Sequence, residues 1–239
     1  MDFIFDPQRL MALAHTAAPA YAGAEPFPHA VFDDFLRPEA AAILAHAFPT
    51  PPQYTGWDRY AAAGFEMKLA SADETRLPAA IVRALHEFNS GPFVRFLEAL
   101  TGIPGLLPDP HLLGGGAHLV GRGGHLGVHA DFNWHPGLQA HRRINVLLYL
   151  NRDWPADWGG ELELWSTDAG RRVRSIAPIF NRAVIFNTRS DTFHGHPAPL
   201  ACPEGEYRRS LALYYYSADR PEEEKRAPHS TRYKGLHLP

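Results

Sequence analysis

Half of the fourteen residues from Gly114 to Gly127 are glycine, and that density governs what the second half of the chain can become. Each glycine inside a helix costs about 0.8–1 kcal/mol relative to alanine, so a helix here would begin several kcal/mol in deficit. Short strands and bulged turns accept glycine far more readily. Strand-like apolar runs follow at 144–150, 161–165, 183–187 and 210–217, separated by turn clusters such as Asp157-Trp-Gly-Gly160 and Asp168-Ala-Gly170. No helical pattern of 10–15 residues lies between them, so a sandwich or jelly roll is expected rather than a parallel sheet.

The first hundred residues have a different texture. Pro38 stands where a first helical residue belongs and is followed by good helix formers to Phe48. Apolar residues recur at three- and four-residue spacing from Pro78 to Leu100, interrupted at Gly91-Pro92, which predicts two helices. Residues 31–36 read as a short strand leading into the first of these helices. The expected organisation is therefore one domain over 1–239, mainly β with N-terminal helices: mostly helical support over 1–105, a jelly-roll core over 106–220 and a C-terminal tail over 221–239. Glu222-Glu-Glu-Lys-Arg226 reads as a solvated part of that tail.

Composition narrows the chemistry. With 23 Lys+Arg against 26 Asp+Glu, the chain lacks the positive field of a dedicated nucleic-acid binder. Cys202 is the single cysteine, so no disulfide framework or cysteine zinc cluster is expected, and any metal must sit on histidine and carboxylate. No apolar run approaches the roughly 18 residues that span a bilayer, and Met-Asp-Phe-Ile-Phe-Asp has no secretory character, so a cytoplasmic location and no membrane partner are expected.

Histidine is over-represented, at 14 residues. His129-Ala130-Asp131 would place both ligating side chains on one face of a strand, with Ala130 turned away. Such a triplet is expected roughly once by chance in a chain of this composition. It gains weight from His194, in Asp191-Thr-Phe-His-Gly-His-Pro197, which could return beside it on a separate β-segment. Two histidines and one carboxylate leave three positions open on iron(II). Downstream, Arg208-Arg209-Ser210 leads into an apolar strand, where a buried arginine needs an anionic partner.

These residues carry a resemblance. From about His118 to Asp219 five blocks stand in order: Gly123-Gly124-His125-Leu126; His129-x-Asp131; Val146-Leu-Leu-Tyr-Leu-Asn151 with Asp153-Trp154; Trp158-Gly-Gly-Glu-Leu162; and Phe193-His194 followed by Arg208-x-Ser210-Leu-Ala-Leu-Tyr. The region resembles the 2-oxoglutarate- and Fe(II)-dependent dioxygenases, in the branch that includes prolyl hydroxylases. The resemblance implies a double-stranded β-helix (jelly roll) with supporting helices packed on one sheet. It implies His129, Asp131 and His194 as iron ligands, Arg208 as the clamp on the distal carboxylate of 2-oxoglutarate, and Tyr149 and Ser210 as further co-substrate contacts. It also implies dioxygen as a substrate, ascorbate as a stimulant, and hydroxylation of an unactivated C–H bond with release of succinate and CO₂. Asp131 favours hydroxylation over halogenation, which would need that carboxylate position vacated.

The residues leave rivals in view. His196 competes with His194 for the third ligand position, and Arg209 competes with Arg208, although strand alternation groups Arg208, Ser210, Ala212 and Tyr214 on one face. Tyr149 fits a core aromatic equally well. His125 and His129 at i, i+4 would suggest zinc on a helix, which the glycines exclude. Glu161 and Glu163 alternate with leucines as the wet face of a strand. The loop Phe132-Asn-Trp-His-Pro-Gly137 departs from the family pattern, and Trp134 and His135 are expected near the metal mouth, toward the primary substrate. A prolyl or other amino-acid residue, a free amino acid, a small metabolite and a glycan all remain open as that substrate. A non-enzymatic cupin-like binding protein is the rival from another class, and the sequence names no oligomeric state.

Overall fold

The computed structural model describes residues 3–62 and 64–234. In chain order the elements are α1 (Pro7–Ala22), β1 (His29–Phe32), α2 (Pro38–Ala47), β2 (Asp58–Ala62), β3 (Glu66–Ser71), α3 (Ala79–Phe88), α4 (Gly91–Thr101), β4 (Leu107–Pro108), β5 (Gly116–Val120), β6 (His125–Ala130), β7 (Trp134–His135), β8 (Ala140–Tyr149), β9 (Leu162–Trp165), β10 (Arg172–Ile176), β11 (Arg182–Asn187), β12 (His194–His196), β13 (Arg208–Ser217) and β14 (Arg232–Tyr233). The helix ends follow local chemistry. Asp6 caps α1 by accepting from the amides of Gln8 and Arg9 at 3.0 and 3.1 Å. Proline opens α2, and Gly102 ends α4 in the left-handed region at φ 70°.

The strands form one antiparallel sheet in the order β1-β11-β8-β13-β5-β3-β6-β12-β9-β10. It curls until its far end faces its beginning: Leu162, Leu164 and Ile176 of β9 and β10 pack on Tyr149, Val184 and Phe186 of β8 and β11. This is the double-stranded β-helix. Alternation divides the labour of each strand. Ile144, Val146 and Leu148 of β8, with Leu211, Leu213 and Tyr215 of β13, join the helices in the large core. Asn145 and Leu147, with Arg208, Ser210 and Tyr214, face a cavity on the other side.

Three features differ from expectation. The mostly helical N-terminal region also contributes the β2–β3 hairpin, whose second strand pairs with β5 and β6. The short strand expected over 31–36 ends at Phe32, and Phe35 and Leu36 are buried outside any strand. The C-terminal segment is not solvated throughout. Glu222 and Glu223 are exposed, but the chain returns so that β14 pairs with β6, Arg232 opposite Ala130 and Tyr233 opposite His129.

Candidate active site

His129 and His194 are register partners on β6 and β12, and Asp131 follows β6 by one residue. Their ligating atoms lie within 4.8 Å of one another, and all three residues are buried. The close approach of the two strands requires glycine at 195, where a Cβ would stand 2.7 Å from the carbonyl oxygens of Leu126 and Gly127. Each imidazole is oriented by its own backbone: His129 Nδ1 donates to Gly127 O at 2.8 Å and His194 Nδ1 to Thr192 O at 3.2 Å. That leaves both Nε2 lone pairs toward Asp131, at 3.5 Å from Oδ1 and 3.4 Å from Oδ2 respectively. Burial, partly countered by Asp131, lowers His194 to about 4, keeping it neutral. Burial would raise Asp131, yet Arg142, His194 and His129 overcome it and hold the carboxyl well below its ordinary range. Two imidazole nitrogens and one anionic oxygen therefore converge.

The carboxylate is supported from behind. Asp131 Oδ2 accepts from Asn145 Nδ2 at 2.8 Å and lies 3.0 Å from Arg142 Nη2. Arg142 is fully buried, with its guanidinium 3.4 Å from the Tyr214 ring centroid and 4.4 Å from that of Phe132. A β-bulge delivers it: β13 pairs Tyr215 with Ile144 but Tyr216 with Arg142, skipping Arg143. Without the skip, alternation would turn Arg143 toward Asp131 and Arg142 toward the helices.

The triad opens into a cavity of about 350 Å³. On its opposite wall Arg208 donates from Nε to Gly160 O at 2.7 Å and from Nη2 to the Tyr149 hydroxyl at 3.1 Å. Nη1 makes no hydrogen bond to a described residue. Ser210 stands between Tyr149 and His118 in register. Tyr149 is fully buried behind Arg208, whereas Arg208 and Ser210 line the cavity. Arg209 turns to the other face, paired in register with Leu119. His196 also borders the cavity, with Nδ1 buried and without a hydrogen-bond partner among the described residues, outside the convergent triad.

The aromatic loop after Asp131 is arranged otherwise than expected. Trp134 packs edge-on against His141 at 4.8 Å, and His135 is buried between Asp109 and Tyr216. Only Phe132 of these aromatics reaches the cavity. The residues that sequence reasoning passed over are Arg142, Asn145, His118 and, from the C-terminal strand, Tyr233. Tyr233 lays its ring 5.4 Å from that of His129 and 5.2 Å from that of Phe65. A polar residue inside an apolar strand was the available signal for Asn145. The bulge concealed Arg142, and nothing local marked Tyr233.

Comparison with known proteins agrees with this geometry. Residues 115–216 match the 2OG-Fe(II) oxygenase superfamily. A stretch of 79 residues is 34% identical to the prolyl 3-hydroxylase OGFOD1 of Mus musculus, covering 31% of this chain and 14% of the mouse protein. Among solved structures, a Trichoplax adhaerens prolyl hydroxylase bound to a hypoxia-inducible-factor peptide superposes with a TM-score of 0.63 at 18% identity, over 88% of this chain and 91% of that one. A Pseudomonas putida prolyl-4-hydroxylase gives 0.61 at 16% identity, over 86% and 99%. The epimerase SnoN, in complex with Fe3+, alpha ketoglutarate and nogalamycin RO, gives 0.58 at 15% identity, over 97% and 98%. These structures share the fold, and the matched range 115–216 includes His129, Asp131 and His194. Over residues 115–216 the chain thus matches the 2OG-Fe(II) oxygenase superfamily, on a fold shared with solved prolyl hydroxylases.

Proposed function

We propose that this chain is a single-domain, 2-oxoglutarate-dependent dioxygenase that hydroxylates an unactivated C–H bond of a prolyl or other amino-acid residue, in the cytoplasm. The observation that carries the proposal is the pairing, in one buried cavity, of the convergent His129–Asp131–His194 set with a half-satisfied Arg208. The donor set suits iron(II): two imidazole nitrogens and one carboxylate, with the cavity on the open side. When bound, Fe(II) would supply activation of dioxygen, the oxidant, with 2-oxoglutarate as the electron donor: one oxygen atom enters the C–H bond as hydroxyl and the other enters succinate as CO₂ is released. The protein's own part is positional. His129 and His194 present fixed tautomers, and Arg208, held by Gly160 and Tyr149, keeps Nη1 for the distal carboxylate of the co-substrate. Phe186 packs on the His194 ring at 4.8 Å and closes that side to water.

The prolyl assignment draws on what the mouse and Pseudomonas relatives are named for, and a small metabolite or glycan is the alternative acceptor. The cytoplasmic assignment accords with a single, buried, free cysteine. Among the described residues no helix is long and apolar enough to cross a membrane. The test is aerobic incubation with Fe(II), ascorbate and 2-oxoglutarate against a panel of proline-containing peptides, free amino acids and metabolites. Succinate should form in step with a product heavier by one oxygen. Absence of succinate under every condition, with iron bound, would favour a cupin-like binding protein.

A further inference from the structure

Asp131 offers two oxygens that the fold treats unequally. Oδ2 takes the Asn145 amide at 2.8 Å and the Arg142 guanidinium at 3.0 Å. Oδ1 takes neither; the two oxygens lie at similar distances from the histidines, Oδ1 3.5 Å from His129 Nε2 and Oδ2 3.4 Å from His194 Nε2, so the inequality is in these two donors alone. The ring closes on itself, because Arg142 Nε and Nη2 both donate to Asn145 Oδ1, at 3.0 and 2.8 Å. Every member is buried, and the two aromatic rings against Arg142 leave its guanidinium little room to rotate.

We propose that Asn145, braced by Arg142, is a positioning residue that presents Asp131 to the metal through Oδ1 alone by occupying Oδ2. The proposal rests on the metal-centre reading above. An ionised carboxylate accepts through either oxygen or both, and chelation through both would take up a position that the co-substrate or dioxygen requires. Hydrogen bonds to the outer oxygen suppress that mode and fix the plane of the carboxylate, as outer partners do at metal sites generally. Of the two donors, Asn145 is the cleaner to test. It carries no charge, whereas removing Arg142 would strip a buried ion pair and also a positive charge that opposes a bound cation.

The experiment uses the full chain and two probe metals under anaerobic conditions: Mn(II) for affinity by calorimetric titration, and Co(II) for coordination geometry by its visible absorption. Asn145→Leu, of similar volume, should weaken Mn(II) binding by about 10- to 100-fold and alter the Co(II) spectrum. Asn145→Thr suits a strand and retains one hydroxyl donor, so it should fall between Leu and wild type. Mn(II) affinity within twofold of wild type and an unchanged Co(II) spectrum in both variants would overturn the proposal. Should Asn145→Leu not fold, Asn145→Ala is judged by the same two readouts. His194→Ala separates the two levels. Loss of Mn(II) binding in that variant, alongside normal binding in the Asn145 variants, fails the positioning role alone. Equal binding by wild type and His194→Ala fails the metal centre, and the positioning role with it.

Discussion

Adjacent arginines on one strand make the site divisible at the level of single residues. Arg208 lines the cavity with two of its nitrogens engaged, whereas Arg209 sits on the opposite face with a buried Nε that finds no hydrogen-bond partner among the described residues. A charge-assisted, desolvated pair between Arg208 and a carboxylate is worth on the order of 2–4 kcal/mol, so Arg208→Ala should raise the 2-oxoglutarate KM by roughly 30- to 1000-fold, read from succinate formation. Lysine at 208 should restore only part, because it keeps the charge and loses the planar fork. Arg209→Ala should shift that KM by no more than about threefold, since that side chain cannot reach the cavity without reversing the strand. A collapse of co-substrate use in Arg209→Ala with normal use in Arg208→Ala would show that the clamp sits on the other face. The histidines divide the same way: His194→Ala should abolish iron retention measured after desalting, and His196→Ala should retain most of it. Equal losses would require His196 in the ligand set.

Elements decide how these side chains come to meet, and here legibility in the sequence was uneven. The C-terminal strand is the clearest case. His229-Ser-Thr-Arg-Tyr-Lys234 has no apolar alternation, and β14 exists because the edge of β6 offers it a partner. Asn133 receives it, accepting the His229 amide on Oδ1 at 2.8 Å, and Lys234 N donates to Val128 O at 2.7 Å. Truncation after Pro228 should therefore uncover the β6 edge. Amide hydrogen exchange should quicken over 128–133, and the melting temperature should fall by roughly 4–10 °C, as loss of about 2–3 kcal/mol would produce in a domain of this size. Unchanged exchange in that segment would mean the strand adds nothing to β6. The β8 bulge is a second case. Alternation read backward from Asn145 selects Arg143, and only the skipped residue brings Arg142 inward. By contrast α2, the α3–α4 break at Gly91-Pro92, and the strands at 144, 183 and 210 were legible because proline, glycine and apolar spacing act locally. The His129–Asp131 pair was legible for the same reason, being two positions of one strand. The β2–β3 hairpin was not, since all of β2 is exposed and no buried face imposes a pattern on it.

At the scale of the whole molecule, enclosing the cavity within a curled sheet makes folding itself sensitive to acid. His118 lies in mid-sheet, paired in register with Ala70 on one side and Ser210 on the other. The backbone at Gly114 and Gly115 lies beside it, and its Nε2 is buried without a hydrogen-bond partner among the described residues. Burial, with Lys68 and Arg208 adding positive charge nearby, lowers it from 6.5 to about 3. Between those two values the unfolded chain binds a proton at this residue and the folded chain does not. Unfolding is then favoured by protonation, so the stability this group permits is complete above about pH 6.5 and is lost progressively as pH falls toward 3. The slope from one such histidine approaches roughly 1.4 kcal/mol per pH unit. His196, pushed well below its ordinary value by burial, acts in the same direction. Urea unfolding of the metal-free protein in EDTA, followed from pH 7 to 5.5, should therefore show a steadily falling midpoint, in a range that stays above most of the titration of ordinary carboxylates. His118→Leu removes one of these protons from the balance, so its stability should fall less steeply over the same range by about one proton's worth, whatever its stability at pH 7. Parallel slopes for the two proteins would mean that His118 reaches solvent or a partner when protonated, and that the sheet does not seal it as its buried Nε2 implies.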